Sequence, residues 1–448
     1  YLFDLEVTPF FIVTLSCSVL LAYFIYSFPP FINNLNIFSI FTVISPIVFI
    51  TSVFPDLNAR NQEAIDLEFH QPVNDIPVVL IIYDELPLYT ILDRNANIDS
   101  TRYQNFYEFS QNATFYKQAR TVATGTRLAV SSILSGMIKP KGTLPSLDNY
   151  PTNLFTVLAN SHKVIPRYSA HTNLCPEKIY KTDRVTSLTK LIGISLDQVL
   201  VYFHLILPKK AKNKLRPISA TNHDFFNITN YQLENDYRLS LHKQFVSDIK
   251  KFNSEKPPFF LLHNTLPHVS YMYTPSGKRY ADFEDAWILP GIDYSIDLWS
   301  NREQEVIQAQ QRHMLQTMYV DKMFGEIVDE LKNKELYDEA LIILTSDHGV
   351  SFWPNCRRRL EQGENISIES SSISTEVHPE LNFPLSDVYG IPLIIKYPKQ
   401  DKEIILNTYA ESVDIAPTVY DILNYNISQD LNGKSLFNNK SPDNIRLD

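Results

Sequence analysis

Acids and histidines follow three apolar segments of this chain, at the points where those segments end. Asp84 and Glu85 come directly after PVVLIIY. Asp347 and His348 come directly after ALIILTS, and His268 lies five residues beyond the last residue of FFLLH. Carboxylate oxygens and imidazole nitrogens are the ligands that proteins offer to Zn²⁺, Mn²⁺, Mg²⁺ and Ca²⁺. A single acid after a strand often only caps the next helix, but three such groups together predict a divalent metal site.

The segments that position these side chains have the pattern of buried strands separated by helices. Continuous apolar runs rich in β-branched residues predict strands at 77–83, 259–263, 340–346 and 391–397. Apolar residues at spacings of three and four predict a long helix over 305–333, and RLAVSSILS predicts a short helix over 127–135. This alternation predicts an α/β fold with a doubly wound, largely parallel sheet, in which ligands bind beyond the carboxyl ends of the strands.

The N-terminal part of the chain has a different composition. Residues 8–28 and 36–54 carry no charged side chain. Each stretch reaches the length of about 20 apolar residues that a helix needs to cross a bilayer core. We therefore expect a membrane anchor with two transmembrane helices over residues 1–55, a linker over 56–75 and a catalytic domain over 76–448. Two buried core helices are the alternative.

The composition of the whole chain excludes several other classes of protein. The 448 residues carry a net charge of −10, which argues against a nucleic-acid partner because such proteins usually present a basic face. Three cysteines are too few for a disulfide-dense scaffold. Only 11 glycines are present, and neither GxGxxG nor GxxxxGK occurs, so a glycine-rich nucleotide cradle is not expected.

Several ordered motifs make residues 76–440 resemble the sulfatase branch of the alkaline phosphatase superfamily. The segment IIYDELP resembles the acidic pair after the first strand of that family. The other matching segments lie at 266–271 (LPHVSY), 319–349 (ending in SDHG), 411–423 (ESVDIAPTVYDIL) and 430–437 (DLNGKSLF). The chain looks most like the membrane-anchored bacterial sulfatase-like proteins. This resemblance implies an α/β fold of alkaline phosphatase and sulfatase type, and metal-dependent chemistry on phosphate or sulfate esters.

The nucleophile motif departs from that of the true sulfatases. They carry CxPSR or SxPSR, and this chain has TVATGTRLAVSSILSG over 121–136 instead. Sulfatase spacing places Thr126 at the nucleophile position, whereas the GTxT pattern of phosphoethanolamine transferases would favour Thr124. We prefer Thr126, and helix N-capping is the alternative for both threonines. Arg127 would either clamp an oxygen of the transferred group or lie solvated at the surface.

The resemblance also implies roles for the other site residues. Asp84, Glu85, Asp347 and His348 would hold the metal, with the threonine as fifth ligand. The Asp–His pair is similar to that of the phosphoethanolamine and phosphoglycerol transferases, which favours zinc or manganese, with magnesium or calcium as alternatives. His268 would contact the transferred group or donate a proton to the leaving oxygen.

Two further histidines are assigned less directly. His378, in STEVHPEL, would bind a second metal or lie at the surface. His263, the last residue of FFLLH, is expected to pack beneath the edge of the sheet.

The resulting hypothesis is a membrane-anchored, metal-dependent hydrolase or transferase with a threonine nucleophile. Its substrate would be an anionic ester, and a position near the lipid bilayer suggests a lipid head group or an envelope glycan. The resemblance places the catalytic domain outside the cytoplasm. The alternative is a catalytically silent protein that keeps the sulfatase fold as a membrane scaffold or binding module.

Overall fold

The chain separates into two compact units, Tyr1–Ile65 and Asp66–Asp448. Beyond short pieces and single residues elsewhere, the computed structural model describes residues 74–168, 172–176, 196–204, 237–280, 297–359, 385–425 and 430–437. The stretches 8–28 and 36–54 lie almost entirely outside the described residues. Within the part of the chain that is described, no helix has both the length and the apolar composition needed to cross a membrane. The two transmembrane helices therefore stay a prediction.

The second unit is built on a seven-stranded sheet with the strand order β3-β4-β1-β7-β8-β2-β9. Its strands are β1 (Val78–Asp84), β2 (Thr114–Arg120), β3 (Lys163–Tyr168), β4 (Pro258–Pro267), β7 (Leu341–Ser346), β8 (Leu393–Lys396) and β9 (Ile404–Glu411). The short strands β5 (Ile292–Asp293) and β6 (Leu298–Trp299) form a separate antiparallel pair. Strand β8 runs antiparallel to both of its neighbours, and the other adjacent pairs are parallel. The predicted largely parallel sheet is thus confirmed.

Helices cover both faces of this sheet. The helices with defined bounds in the described part of the chain are α1 (Leu88–Ile91), α2 (Gln104–Ser110), α3 (Thr126–Ser135), α4 (Leu154–Leu158), α5 (Tyr237–Lys251), α6 (Glu303–Asn333), α7 (Ser386–Tyr389) and α8 (Ile415–Ile422), with a 3₁₀ turn at Ser412–Asp414. The two helices predicted from the sequence correspond to α3 and α6. The layers are therefore helix, sheet and helix, as expected of a doubly wound α/β domain.

Strand β1 shows why its sequence is a continuous apolar run. Every residue of β1 is buried. Leu80 and Ile82 belong to the core on the side of α3, α4 and α8. Ile81 and Tyr83 belong to the core on the side of α2, α5 and α6. Because successive side chains of a strand point to opposite faces, a strand covered on both faces must be apolar at every position.

The register of the central strands brings their carboxyl ends to one edge. Strand β1 lies between β4 and β7 and is parallel to both. Tyr83 is opposite Ser346, and Asp84 is opposite Pro267. The residues that follow these three strands therefore meet at one place, which is where the chemistry-bearing side chains of the sequence lie.

Candidate active site

Two buried carboxylates lie side by side where β1 and β7 end. Asp84 is 2% exposed and Asp347 is fully buried. Oδ1 of Asp347 accepts the backbone N–H groups of Glu85 (3.2 Å) and His348 (2.7 Å). Within the described residues, Oδ1 of Asp84 and Oδ2 of Asp347 have no hydrogen-bond donor. Burial, followed by the negative charge of Asp347, raises the pKa of Asp84 well above its usual range. Such a carboxylate pair calls for a cation.

The ring of His348 presents a nitrogen lone pair to this pair of acids. Its Nδ1–H donates to the carbonyl oxygen of Gly349 at 2.9 Å, so the neutral ring carries its lone pair on Nε2. That Nε2 lies 3.5 Å from Asp347 Oδ2 and 3.7 Å from Asp84 Oδ1. Gly349 is required beside it, because a Cβ there would lie 2.2 Å from the carbonyl oxygen of Asp387. A backbone carbonyl that fixes the far ring nitrogen is the usual outer-shell arrangement of a metal-binding histidine.

His263 joins this group from strand β4. It is 1% exposed, in agreement with the expectation that it packs under the sheet edge. Ligand atoms of Asp84, His263 and Asp347 also all lie within 4.8 Å of one another. The sequence analysis did not assign His263 to the metal, although its position near the carboxyl end of a predicted central strand was a usable signal.

Helix α3 begins at the same edge and carries the candidate nucleophile. Thr126 is its first residue, and Thr126 Oγ1 lies 3.4 Å from His348 Nε2. Gly125 is the N-cap residue, so neither Thr124 nor Thr126 occupies the capping position. Thr124 is 8% exposed, and Arg127 is exposed at the second helical position. The structure thus brings Thr126 to the acids and leaves Arg127 at the surface.

The side chain of Glu85 lies among basic side chains. Its Oε1 is 3.2 Å from Arg359 Nε, 3.4 Å from His268 Nε2 and 3.6 Å from Arg358 Nη2. Burial by itself would raise the pKa of Glu85, but the neighbouring side chains of His268, Arg358 and Arg359 lower it below its usual range. Glu85 and Asp84 are therefore adjacent in the chain but lie in different surroundings.

Sequence reasoning missed both arginines. Arg358 is 3% exposed, and its Nε donates to Asp297 Oδ1 at 2.7 Å. Arg359 is partly exposed, and its Nη1 lies 3.4 Å from His348 Nε2. The three consecutive arginines of PNCRRR, ten to twelve residues after Asp347, were a usable signal.

His268 reaches Glu85 from the far end of β4. Its Nδ1–H donates to the carbonyl oxygen of Val269 at 2.8 Å. Burial lowers the pKa of His268 to about 4, against the opposing effect of Glu85. The roles assigned to His268, contact with the transferred group or proton donation to the leaving oxygen, stay predictions. The other histidine that the sequence singled out, His378, lies outside the described residues.

The fold and the residues at this edge of the sheet agree with a comparison of the chain with known protein families. Residues 77–425 match the sulfatase family. Because this match covers more than half of the chain, the protein belongs to the sulfatase family.

Solved structures and one curated protein are also similar to parts of the chain. A phosphonate monoester hydrolase of Agrobacterium radiobacter superposes with a TM-score of 0.51 at 16% identity, covering 83% of this chain and 79% of that one. A protein solved with its substrate D-glucosamine-2-N,6-O-disulfate gives a TM-score of 0.50 at 12% identity, over 81% and 79% of the two chains. These identities establish a shared fold.

The curated protein is a 2,3-bisphosphoglycerate-independent phosphoglycerate mutase of Antithamnion sp.. It is 33% identical over 115 residues, which is 25% of this chain. The match spans only 18% of the length of that relative.

Proposed function

We propose that this sulfatase-family protein is a metal-dependent enzyme that cleaves or transfers phosphate or sulfate esters, with Thr126 as nucleophile. The observation that carries the proposal is the pair of buried acids, Asp84 and Asp347, whose facing oxygens have no donor among the described residues. A hydroxyl and an imidazole lone pair lie beside them, on Thr126 and His348. Acids, a nitrogen ligand and a hydroxyl around one point form a site for a cation and an activated nucleophile.

The residues present fit a divalent cation. Asp84, Asp347 and His348 would hold it, and His263 lies close enough to contribute a further nitrogen. Two carboxylates with imidazole nitrogens suit zinc or manganese, and magnesium or calcium would be expected to prefer more oxygen ligands. When bound, the cation would lower the pKa of the threonine hydroxyl and offset the charge of the transferred group.

The side chains around Thr126 support a two-step reaction. In the first step the Thr126 oxygen attacks phosphorus or sulfur, and the bond to the alkoxy leaving group breaks with its electron pair. The hydroxyl proton of Thr126 ends on that leaving oxygen. In the second step water, or an acceptor hydroxyl in the case of transfer, attacks the same atom. The bond to the Thr126 oxygen breaks with its electron pair, and that oxygen takes up the proton of the attacking group. Backbone N–H groups at the start of the ten-residue helix α3 and the charge of Arg359 would stabilise the anion.

Separate threonine variants test the nucleophile. With bis(p-nitrophenyl) phosphate and p-nitrophenyl sulfate as probes, we expect Thr126→Ala to lower the rate by about 1,000-fold or more. We expect Thr124→Ala to lower the rate by less than about 10-fold, since Thr126 is the residue beside His348. Exposed Thr101→Ala serves as a control. Full activity of the Thr126 variant, or a larger loss in the Thr124 variant, would contradict the assignment.

Two questions stay with experiment: whether the enzyme hydrolyses or transfers, and whether it acts on phosphate or on sulfate esters. A screen of both ester classes, with and without an acceptor alcohol, would answer them. The phosphonate monoester hydrolase and the disulfate-binding protein that share the fold justify testing both ester classes. The Asp347–His348 pair supports the phosphotransferase branch. A substrate at the membrane, such as a lipid head group or an envelope glycan, would follow from an anchor.

We further propose that the chain is held in a membrane with its catalytic domain outside the cytoplasm. Two uncharged stretches of transmembrane length, at 8–28 and 36–54, support this proposal. The test is membrane fractionation followed by protease treatment of intact cells. Recovery of the protein in the membrane fraction with an accessible catalytic domain is expected. Recovery in the soluble fraction without detergent would contradict it.

A further inference from the structure

A helix in the middle of the chain turns apolar side chains outward. Its described part covers residues 196–204. Leu196, Val199, Tyr202 and Phe203 are 37–50% exposed. Asp197, the acid of this helix, is only 8% exposed. The usual arrangement of a surface helix, with apolar residues inside and charged residues outside, is therefore reversed here.

The four exposed residues share one side of this helix. At 3.6 residues per turn they fall within an arc of about 120°, and Asp197 and Leu200 lie outside that arc. The rings of Tyr202 and Phe203 are neighbours on it, with centroids 6.2 Å apart. No other eight-residue stretch of the described chain after position 66 holds more than two exposed large apolar residues. Single exposed apolar residues are ordinary, but a cluster of this kind marks a surface that meets a partner.

The charge of the neighbouring sequence favours one kind of partner. Between Asp197 and Asp224 the chain has five basic side chains and no acidic one, although its net charge is −10. The five are Lys209, Lys210, Lys212, Lys214 and Arg216. A symmetric contact with a second copy of the chain would place two such basic segments together, which like-charge repulsion opposes. An apolar helix side followed by lysines is instead typical of segments that lie on anionic lipid.

One side of the helix is buried, so the helix can lie on a bilayer but cannot cross one. Asp197 and Leu200 are the buried residues on that side. Only the exposed side can enter the lipid, to the depth of about 5–10 Å that interfacial helices reach. Tyr202 suits this boundary, because a tyrosine ring is apolar and its hydroxyl group is polar.

We infer that the exposed side of the helix over 196–204 docks on an anionic lipid bilayer. Leu196, Val199, Tyr202 and Phe203 enter the boundary between head groups and acyl chains, and the basic residues between 209 and 216 attract the lipid phosphates. This contact is separate from the proposed anchor over residues 1–55. It goes beyond the proposed function and does not rest on the active site.

A lipid-quenching experiment tests this contact. Val199→Cys in the full-length chain is labelled with the fluorophore bimane and reconstituted into vesicles whose phosphatidylcholine carries a spin label near the head group. The vesicles contain about 30% phosphatidylglycerol or none. We expect the anionic vesicles to quench the probe at position 199 at least about three times more strongly than a probe placed by Glu255→Cys, an exposed position elsewhere. The unmodified chain, labelled in parallel, gives the background from the native cysteines.

The dependence on charge separates lipid from other partners. Quenching at position 199 should fall by about half or more in about 0.5 M salt, or when the five basic residues are replaced by glutamine. Equal quenching at positions 199 and 255 in anionic vesicles would overturn the inference, and so would full quenching at position 199 in neutral vesicles. A probe at position 199 that is shielded from aqueous iodide but not quenched by the lipid would indicate a protein partner, which would also overturn it.

Polar substitutions on the exposed side of the helix test the apolar part of the contact. Val199→Ser with Phe203→Ser should lower the quenching of a probe placed by Leu196→Cys to about the level at position 255. Because both residues are exposed, the urea midpoint should stay as in the unmodified chain. The matched control, Ile138→Ser with Leu144→Ser, removes two similarly exposed apolar side chains and should leave the quenching unchanged. Unchanged quenching in the helix variant would contradict the inference.

Failure of this inference is distinguishable from failure of the proposed function. Quenching at position 199 in a chain that neither binds metal nor cleaves the p-nitrophenyl probes would refute the proposed chemistry and leave the lipid contact standing. Cleavage of those probes by a chain that shows no such quenching would refute the lipid contact alone. A chain recovered in the soluble fraction is tested by the same quenching after vesicles are added, so the anchor and the helix are also tested separately.

Discussion

Asp84 and Glu85 are adjacent and buried, and their carboxylates lie in opposite electrostatic surroundings. Asp84 faces another acid, and burial with that negative charge raises its pKa. Glu85 faces His268, Arg358 and Arg359, and these basic side chains lower its pKa although burial acts the other way. One side of the sheet edge therefore has an excess of negative charge and the other has its charge compensated by the protein. Two acids that are adjacent in the chain can therefore have their pKa values shifted in opposite directions by their neighbours.

The largest expected effect on stability is at Glu85, whose charge is compensated by neighbouring arginines. Replacing Glu85 by Gln leaves Arg358 buried with only Asp297 beside it. We expect the metal-free protein to lose about 3 kcal/mol of unfolding free energy, the lower end of the range for a buried ion pair that loses one partner, because Asp297 still pairs with Arg358. Because the pKa of Glu85 is lowered, this contribution is present above about pH 4.5 and is lost as the pH falls. Urea unfolding at pH 7 measures this loss of unfolding free energy. A loss no larger than that of the exposed control Glu255→Gln would contradict the contrast between Glu85 and Asp84.

A smaller effect on stability, of opposite sign, is expected at Asp84, which faces another acid. In metal-free protein, Asp84→Asn removes a buried carboxyl group that is costly to ionise and supplies an amide that can donate to Asp347. We expect a gain of about 1–3 kcal/mol, the usual cost of an unsatisfied buried polar group. A raised pKa means that ionised Asp84 reduces stability, so the gain should shrink as the pH falls and Asp84 takes up its proton. Equal destabilisation by Asp84→Asn and Glu85→Gln would show that both acids have the same surroundings.

The smallest effect concerns Asp387, which contacts the segment that precedes Arg358 and Arg359. Asp387 accepts hydrogen bonds from Trp353 Nε1 at 2.9 Å and Ser351 Oγ at 3.4 Å. Burial raises the pKa of Asp387 to about 6. The folded protein keeps this proton up to about pH 6 while the unfolded chain releases it near pH 4, so stability should fall by about 1–2 kcal/mol across that interval.

The difference in unfolding free energy between the unmodified chain and Asp387→Asn isolates this effect from the other acids. Exposed Asp329→Asn serves as the matched control. A difference that stays constant from pH 4 to pH 7 would contradict the expected titration of Asp387.

The central strands were predictable, and three others were not, for physical reasons. Strands β1 and β7 are buried at every position, so their sequences are apolar throughout. The edge strand β9 alternates between half-buried and exposed residues, and β2 carries lysine, glutamine and arginine in its second half. Strand β3 contains Pro166, which is unusual within a strand. Their pairing depends on the rest of the sheet, which local sequence does not encode.

The site residues also divide into those that the sequence predicts and those that it does not. The convergence of Asp84 and Asp347 followed from parallel topology alone, because the ends of adjacent parallel strands share one edge. The direction of Glu85 depends on a single backbone angle, and the place of Arg358 and Arg359 depends on the path of a loop. Neither can be deduced from residue types and spacing.

Elemental analysis of the detergent-purified full-length protein and of Asp347→Ala tests the central claim most directly. The claim is that the buried acids and His348 hold a divalent cation beside Thr126. We predict about one equivalent of zinc or manganese in the unmodified protein and its loss in the variant. Absence of metal from both proteins, even after reconstitution, would contradict the claim and favour a catalytically silent protein that keeps the sulfatase fold.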